Sequence, residues 1–274
     1  MKTIVKRVAL AIFAIFAFAA IAAYGASERR LHRTYDIKLT DFQAASSLTA
    51  YENERRARSL MCFGCHRENG SVIFQAPGVG SLVAPNLSRV AATYSDGELE
   101  RLIRHGIKKN ATGVIAMPSS TYTNLADEDV SAIIAWLRSL ELKPDAEPSR
   151  TQWGPLGRIA LALDNVPYDA DHPIQDPAPP KTRPGDIGRY LVSATCAHCH
   201  GLQEPKEVEG TETPALALAI KTYGLADFTR LMKTGIGLNE RELGLMTSVA
   251  KTDFSAFTDE EISMIYAFLS SDPR

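Results

Sequence analysis

The sequence predicts an all-α fold, with two small helical domains in tandem behind an N-terminal hydrophobic helix. Three observations predict it. The pentapeptide C-x-x-C-H occurs twice, as Cys62-Phe63-Gly64-Cys65-His66 and as Cys196-Ala197-His198-Cys199-His200, an offset of 134 positions (62 to 196). Segments following each copy match one another in order, the mark of an internal repeat. Ahead of both, an uncharged run from Val8 to Ala26 follows Lys2, Lys6 and Arg7. A chain of 274 residues has room for two such domains. Its 45% hydrophobic and 23% charged content is that of folded globular protein, and a formal net charge of -2 excludes a global basic footprint for nucleic acid.

The basic flank and apolar run make residues 1–26 an export segment. An uncleaved anchor is the favoured reading, because the run is about as long as the roughly 20 residues that span a bilayer, and the basic residues before it stay inside. The alternative is a removed signal peptide, cut after Gly25 with Ala23 and Gly25 as the small residues. The anchor places the rest of the chain on the periplasmic side of a bacterial cytoplasmic membrane; cleavage would leave it soluble in the periplasm. Residues 27–43 mix charges of both signs and read as a juxtamembrane tether, in which Asp36-Ile37-Lys38-Leu39 could pack on a domain.

C-x-x-C-H is the attachment signature of c-type haem. Two thiols three positions apart on a turn can reach the two vinyl groups on one edge of a porphyrin. The histidine that follows is then carried under the ring, where its imidazole binds iron. The two copies consume all four cysteines: Cys62 and Cys65 with His66, then Cys196 and Cys199 with His200. A zinc site does not need a histidine directly after both pairs. A redox-active C-x-x-C belongs to a thioredoxin-like unit, which the helix-rich surroundings do not resemble. Structural disulfides are the third alternative in an exported protein. Two covalently attached haem c groups are therefore expected.

The first domain is expected over residues 44–142. A charged helix from Glu52 to Met61 runs into Cys62, and a loop rich in Gly, Ser and Pro leads to Pro85-Asn86-Leu87. Ser95 or Asp96 caps an amphipathic helix carrying Leu99, Leu102 and Ile103, and Gly106 ends it. A last helix opens on Asp127-Glu128-Asp129, acids suited to a helix N-terminus, with Val130, Ile133, Ile134, Trp136, Leu137 and Leu140 as its apolar face. Between these helices Met117 stands on a loop, followed by Pro118. It is the one methionine between His66 and the second motif, and a thioether is a soft ligand that favours ferrous iron. His105, at a helix end, is the rival sixth ligand, although a solvated or capping role is commoner there.

In this order of parts the segment resembles a class I cytochrome c domain. That family has a helix running into C-x-x-C-H, a P-x-L segment, middle helices, a loop with an axial methionine, and a C-terminal helix crossing the first. The resemblance implies that the Pro85 carbonyl accepts a hydrogen bond from the proximal imidazole, a bond that fixes ring orientation and ligand basicity.

Residues 143–185 are proline-rich and end in Pro177-Ala178-Pro179-Pro180, which predicts a stiff, irregular spacer. Leu156 to Leu163 could form a short helix lying against one domain. The second domain is expected over residues 186–274, where the chain repeats itself. Pro214-Ala215-Leu216 matches Pro85-Asn86-Leu87, Tyr223–Ile236 matches Tyr94–Ile107 at an offset of 129, and Phe257–Ile262 matches Leu125–Val130 at an offset of 132. The register puts Met246, in a loop, opposite Met117, and gives Pro214 the role of Pro85. Met232 and Met264 fall inside helices among apolar neighbours and read as core, and His198 reads as exposed.

Two His/Met pairs leave no open iron position, so the resemblance implies a carrier of single electrons rather than an enzyme. It is similar to membrane-anchored cytochrome subunits of periplasmic dehydrogenases or oxidases. Expected partners are redox proteins: a periplasmic dehydrogenase or another cytochrome as donor, and an acceptor such as a terminal oxidase. The alternative is a dihaem enzyme, peroxidase-like or thiosulfate-oxidising, which needs one haem that is open or unusually ligated.

Overall fold

The first element is α1 (Lys2–Leu31), a helix of 30 residues whose most apolar stretch has a mean hydropathy of 2.4 and is not covered by the rest of the protein. The computed structural model describes residues 2–67, 69–166, 168–171, 179–208, 210–271 and Pro273; Pro177 and Ala178 of the proline run lie outside them. The helix is long and apolar enough to cross a membrane. After it the chain does not hang free as a tether. Thr34 bridges to Thr112, the Ile37 carbonyl accepts from Arg101 at 3.2 Å, and the Ala44 N–H donates to Asp96 at 3.0 Å, so residues 34–44 lie along the first domain.

In that domain α2 (Ala50–Ser59) starts where the Thr49 hydroxyl accepts the Glu52 N–H at 3.2 Å. It stops at Met61, which adopts φ 67°, and this left-handed residue redirects the chain into the single turn α3 (Cys62–His66). The following stretch is not the irregular loop that its glycines and prolines predict. The residues SVIFQA have strand character, and Gly78 and Gly80 at positive φ turn them into an antiparallel hairpin of β1 (Ser71–Ala76) and β2 (Gly80–Ala84). Then come α4 (Leu87–Thr93), α5 (Asp96–His105), α6 (Ser119–Tyr122) and α7 (Asp127–Ser139). Ser95 and Glu98 form a complete capping box on α5, and Gly106, at φ 65°, closes it.

The segment 143–185 corrects the expectation of a plain spacer. It adds β3 (Gln152–Trp153) to the hairpin, pairing Gly80 with Trp153 and Ser81 with Gln152, and then forms α8 (Pro155–Ala162), the short helix expected there, which packs on α1 and on β2 and β3. The body is helical as expected, with small two- and three-stranded sheets added to it. The second domain follows with α9 (Ile187–Ala194), a tight turn over Cys196–His198, a hairpin of β4 (Lys206–Val208) and β5 (Thr211–Thr213), then α10 (Leu216–Ala219), α11 (Leu225–Thr234), α12 (Leu245–Thr252) and α13 (Asp259–Ser270). Gly235, at φ 74°, ends α11 as Gly106 ends α5.

Each domain is closed by its first and last helices: α2 on α7, and α9 on α13. Leu60, Val130 and Ile134 are fully buried in the first pair, and Leu191, Ile262 and Ile265 in the second. At the second crossing Gly188 is required, because a Cβ there would stand 2.2 Å from the Met264 carbonyl oxygen.

The two cores join in one apolar cluster. Between them lies a buried ionic network. Asp129 accepts from Arg56 at 2.9 Å, from Arg183 at 2.8 Å and from the Tyr190 hydroxyl at 2.6 Å; Arg183 also reaches Glu261 at 2.7 Å, as does Arg55. The end of the linker segment caps α7, with the Pro180 and Lys181 carbonyls accepting the N–H groups of Asp127 and Glu128 at 2.9 and 3.1 Å.

Candidate haem-binding sites

Around the first motif the structure holds a cavity of about 470 Å³, a volume in the range of small-molecule and cofactor pockets. Cys62, Cys65 and His66 line it from α3, Met117 and Pro118 from the loop before α6, and Leu99, Ile103, Ile133 and Trp136 from the helices. The lining is overwhelmingly apolar, as a large flat macrocycle requires, with the few polar groups at chosen points.

One of these points is His66. Its Nδ1 lies 2.8 Å from the Pro85 carbonyl oxygen. A carbonyl only accepts, so Nδ1 carries the proton and Nε2 keeps its lone pair for a metal. Pro85 is itself held in place by its neighbour. The Asn86 side chain accepts from the Ser88 N–H at 3.1 Å, capping α4, and donates to the Lys143 carbonyl at 2.9 Å. Desolvation lowers the His66 pKa below the ordinary imidazole value, with the Pro85 bond pulling the other way, and the neutral ring is the ligand form.

The second motif repeats this construction. His200 Nδ1 donates to the Pro214 carbonyl at 2.9 Å, and the chain beyond Pro214 is pinned by Leu216 and Ala217 N–H bonds to the Gly201 and Leu202 carbonyls at 3.0 and 2.9 Å. The carbonyl of the second motif cysteine is bound in both domains by a hydroxyl: Ser71 to Cys65 and Thr213 to Cys199. Lys206 ties the second turn further, donating to the Ala197 and His198 carbonyls at 3.0 and 2.8 Å.

Three expectations need correction. Met246 is not in a loop but is the second residue of α12, because Gly244, at φ 57°, lets the helix begin one turn earlier than the register with Met117 implies. Met264 is not core: it is 37% exposed on the outer side of α13, whereas Met232 at 1% is fully buried. His198 is half-buried against the β4 segment rather than exposed. His105 occupies the last position of α5 and is not among the residues lining the cavity.

Other residues were missed. Leu31 of α1, and Arg150, Thr151 and Trp153 of the supposed spacer, also line the first cavity. The signal available was Trp153, a large aromatic standing in a proline-rich stretch, which is rarely left in solvent. Ser71 and Thr213 could have been found only by aligning the two repeats.

The competing chemistries fit poorly. None of the four cysteines forms a disulfide, and among the described residues no group of three or more His, Cys, Asp and Glu side chains is placed to hold a metal ion. Desolvation pushes the Cys62 thiol up to about 12 and that of Cys196 to about 11. An apolar cavity with two cysteines and an oriented imidazole at its edge and a thioether on its wall fits haem c.

Comparison with known proteins agrees. The cytochrome c family model matches residues 55–141 and again residues 186–272. The chain is 27% identical over 251 residues to the fructose dehydrogenase cytochrome subunit of Gluconobacter japonicus, covering 77% of this chain and 50% of that protein. It is 27% identical over 273 residues to the gluconate 2-dehydrogenase cytochrome c subunit of Pantoea cypripedii, covering 85% and 61%. With the cytochrome c subunit of the quinone-dependent alcohol dehydrogenase of Gluconobacter oxydans the identity is 24%, covering 80% and 47%. The chain thus spans about half the length of the curated relatives it matches.

Proposed function

This chain belongs to the cytochrome c family, with two such domains in tandem and two covalently attached haem c groups, and on that premise we propose that it is a membrane-anchored carrier of single electrons. Its donor is a dehydrogenase facing the periplasm, and its acceptor a terminal oxidase or another respiratory component. Each bound haem supplies a one-electron couple between ferrous and ferric iron. The residues of this chain do the rest. Cys62 and Cys65 hold the first group and Cys196 and Cys199 the second. His66 and Met117 would hold one iron, and His200 and Met246 the other. The Pro85 and Pro214 carbonyls orient the imidazoles, and the apolar walls exclude water.

The observation that carries this reading is Met117 on the wall of the cavity that His66 lines. A histidine and a methionine that both held the iron would leave it no position for a substrate. The names of the three relatives, all cytochrome subunits of dehydrogenases, support a dehydrogenase as donor. The anchor reading rests on the length and hydropathy of α1.

The test is the visible spectrum of the reduced full-length protein before and after carbon monoxide. A carrier shows no change at either haem. A shift at one haem overturns the reading in favour of a dihaem enzyme with an open or labile site.

A further inference from the structure

We propose that α8 is a membrane-surface helix: the stripe of Leu156 and Ile159 with Leu163 at its C-terminal cap rests in the headgroup–acyl boundary beside α1 and sets the first haem cavity against the bilayer. The inference rests on the reading of α1 as an anchor and adds a second membrane contact to it.

Depth is the first argument. The uncharged run Val8–Ala26 rises about 28 Å at roughly 1.5 Å per residue, close to the ~30 Å hydrocarbon thickness. Its outer boundary therefore falls at Tyr24 to Ala26, an aromatic of the kind that marks membrane interfaces, followed by Glu28, Arg29 and Arg30. The α8 helix docks at this level. The Arg158 guanidinium lies 4.5 Å from the Tyr24 ring centroid, donates to the Ser27 hydroxyl at 3.1 Å and pairs with Glu28. Beyond the helix, Arg30 binds Asp164 at 2.5 Å and Asp171 at 2.7 Å. Ser27 is fully buried under this contact. Polar groups thus lock α8 to the point where α1 leaves the apolar layer.

The second argument is the face that α8 leaves open. Gly157 and Leu161 are buried, Gly157 against the Val79 carbonyl and the Trp153 ring, and Arg158 is turned to α1, while Leu156, Ile159 and Leu163 are 56%, 45% and 64% exposed. Positions 156, 159 and 163 fall within about 60° of one another around a helix of 3.6 residues per turn. Three large aliphatic side chains on one stripe are costly in water. Beside a membrane-spanning helix, at the depth of its interfacial tyrosine, the adjoining apolar medium is lipid.

The third argument is consequence. Leu31, the last residue of α1, lines the first cavity together with Trp153 just ahead of α8. From Ala26 to Leu31 the helix rises about 7.5 Å at roughly 1.5 Å per residue. A rigid two-point contact would hold this cavity one to two helical turns above the lipid, facing redox partners that live in the membrane, where a single helix would let it swing.

The test uses full-length haem-loaded protein in phosphatidylcholine/phosphatidylglycerol vesicles, with one nitroxide label at Ile159→Cys, Ile15→Cys or Glu207→Cys. Accessibility to oxygen and to a water-soluble nickel chelate is read by electron paramagnetic resonance. The Ile159 label should show chelate accessibility about tenfold lower than the Glu207 label, as for a side chain sunk roughly 5–10 Å into the boundary. Introducing Leu156→Glu and Leu163→Glu should restore it. An Ile159 label as chelate-accessible as Glu207, with Ile15 shielded, overturns the proposal and leaves the anchor standing. An Ile15 label open to the chelate overturns the anchor itself. Shielding of Ile159 that persists in detergent only while a partner subunit is bound assigns the face to protein and also overturns the proposal.

Discussion

Replacing Asp129 by alanine should unfold the protein at a markedly lower temperature, and the structure sets the size of the effect. The Asp129 side chain has no exposed surface, and its carboxylate faces Arg56 and Arg183, themselves only 15% and 10% exposed. Deleting one partner of a buried ion pair costs about 3–5 kcal/mol, because the remaining charge is stranded out of water. An exposed pair such as Arg189 with Asp186, each 55% exposed, is worth only about 0–1 kcal/mol. Here Arg183 retains Glu261 and Arg56 retains Glu128 at 3.4 Å, which points to the lower end, about 3 kcal/mol. In a chain of this size 1 kcal/mol moves Tm by roughly 2–4 °C, so a fall of about 6–12 °C is expected. The assay is thermal unfolding of full-length, haem-loaded protein followed by far-ultraviolet circular dichroism, with haem content matched by absorbance. Arg183→Ala should cost less, and the double variant should be non-additive by more than about 1 kcal/mol. A fall in Tm below about 2 °C, the scale of an exposed pair, or strict additivity of the two substitutions, refutes the network as a structural tie.

Met117→Ala and Met246→Ala should each leave haem covalently bound yet make one iron bind carbon monoxide; unchanged spectra in either variant would remove that methionine from the ligand set. Met232→Ala, in the core, should destabilise by about 2–5 kcal/mol, while Met264→Ala, on the surface, should stay within about 0.5 kcal/mol in denaturant titrations. Equal effects would contradict the packing of α11 and α13. Desolvation raises the Glu261 pKa, but hydrogen bonds from the Thr258 N–H and Arg183, with the charges of Arg55 and Arg183, outweigh it and hold the carboxyl below its usual 4.5. A depressed folded pKa gives stability that is present above the unfolded value and lost as pH falls through the folded one. Tm should therefore fall below pH 4.5 more steeply in the native protein than in Glu261→Gln, and parallel curves would exclude Glu261 from the interface energetics.

The motif, the repeat and the amphipathic helices were legible because each depends on local chemistry or period. Cys62 to His66 carry their meaning in five residues, and Ser95 with Glu98 announces a helix start. What escaped depended on contacts distant in sequence. Phe74 and its neighbours formed a strand because Gly78 and Gly80 let the chain turn back, not because of an alternating pattern. Trp153 reached the first cavity because β3 found the edge of β2, some seventy positions away (81 to 152). Asp129 looked like a dipole-matching acid at a helix N-terminus, and it is one, but its burial follows from Arg56 and Arg183 arriving from two other segments. Met264 shared the apolar company of its helix without sharing its inner face.

The repeat also explains how two copies of one fold come to fit each other. The offset of 132 that aligns the last helices makes Asp129 the counterpart of Glu261, each an acid in the first turn of its helix. Arg183, at the end of the connecting segment, bonds to both. One cation thus ties equivalent positions of the two domains, and a segment that would otherwise space them becomes the piece that locks them. The attachment turns are drawn into the same contact. The Gly64 N–H donates to Asp253 at 3.0 Å, and Arg58 donates to the Thr252 carbonyl at 3.2 Å, so the first C-x-x-C-H turn packs against α12, the helix that carries Met246. Electron exchange depends steeply on distance, and a flexible spacer would average over many separations between the two sites. A buried interface crossed by charge pairs holds one separation, which is the property a two-site carrier needs if electrons are to enter at one haem and leave from the other.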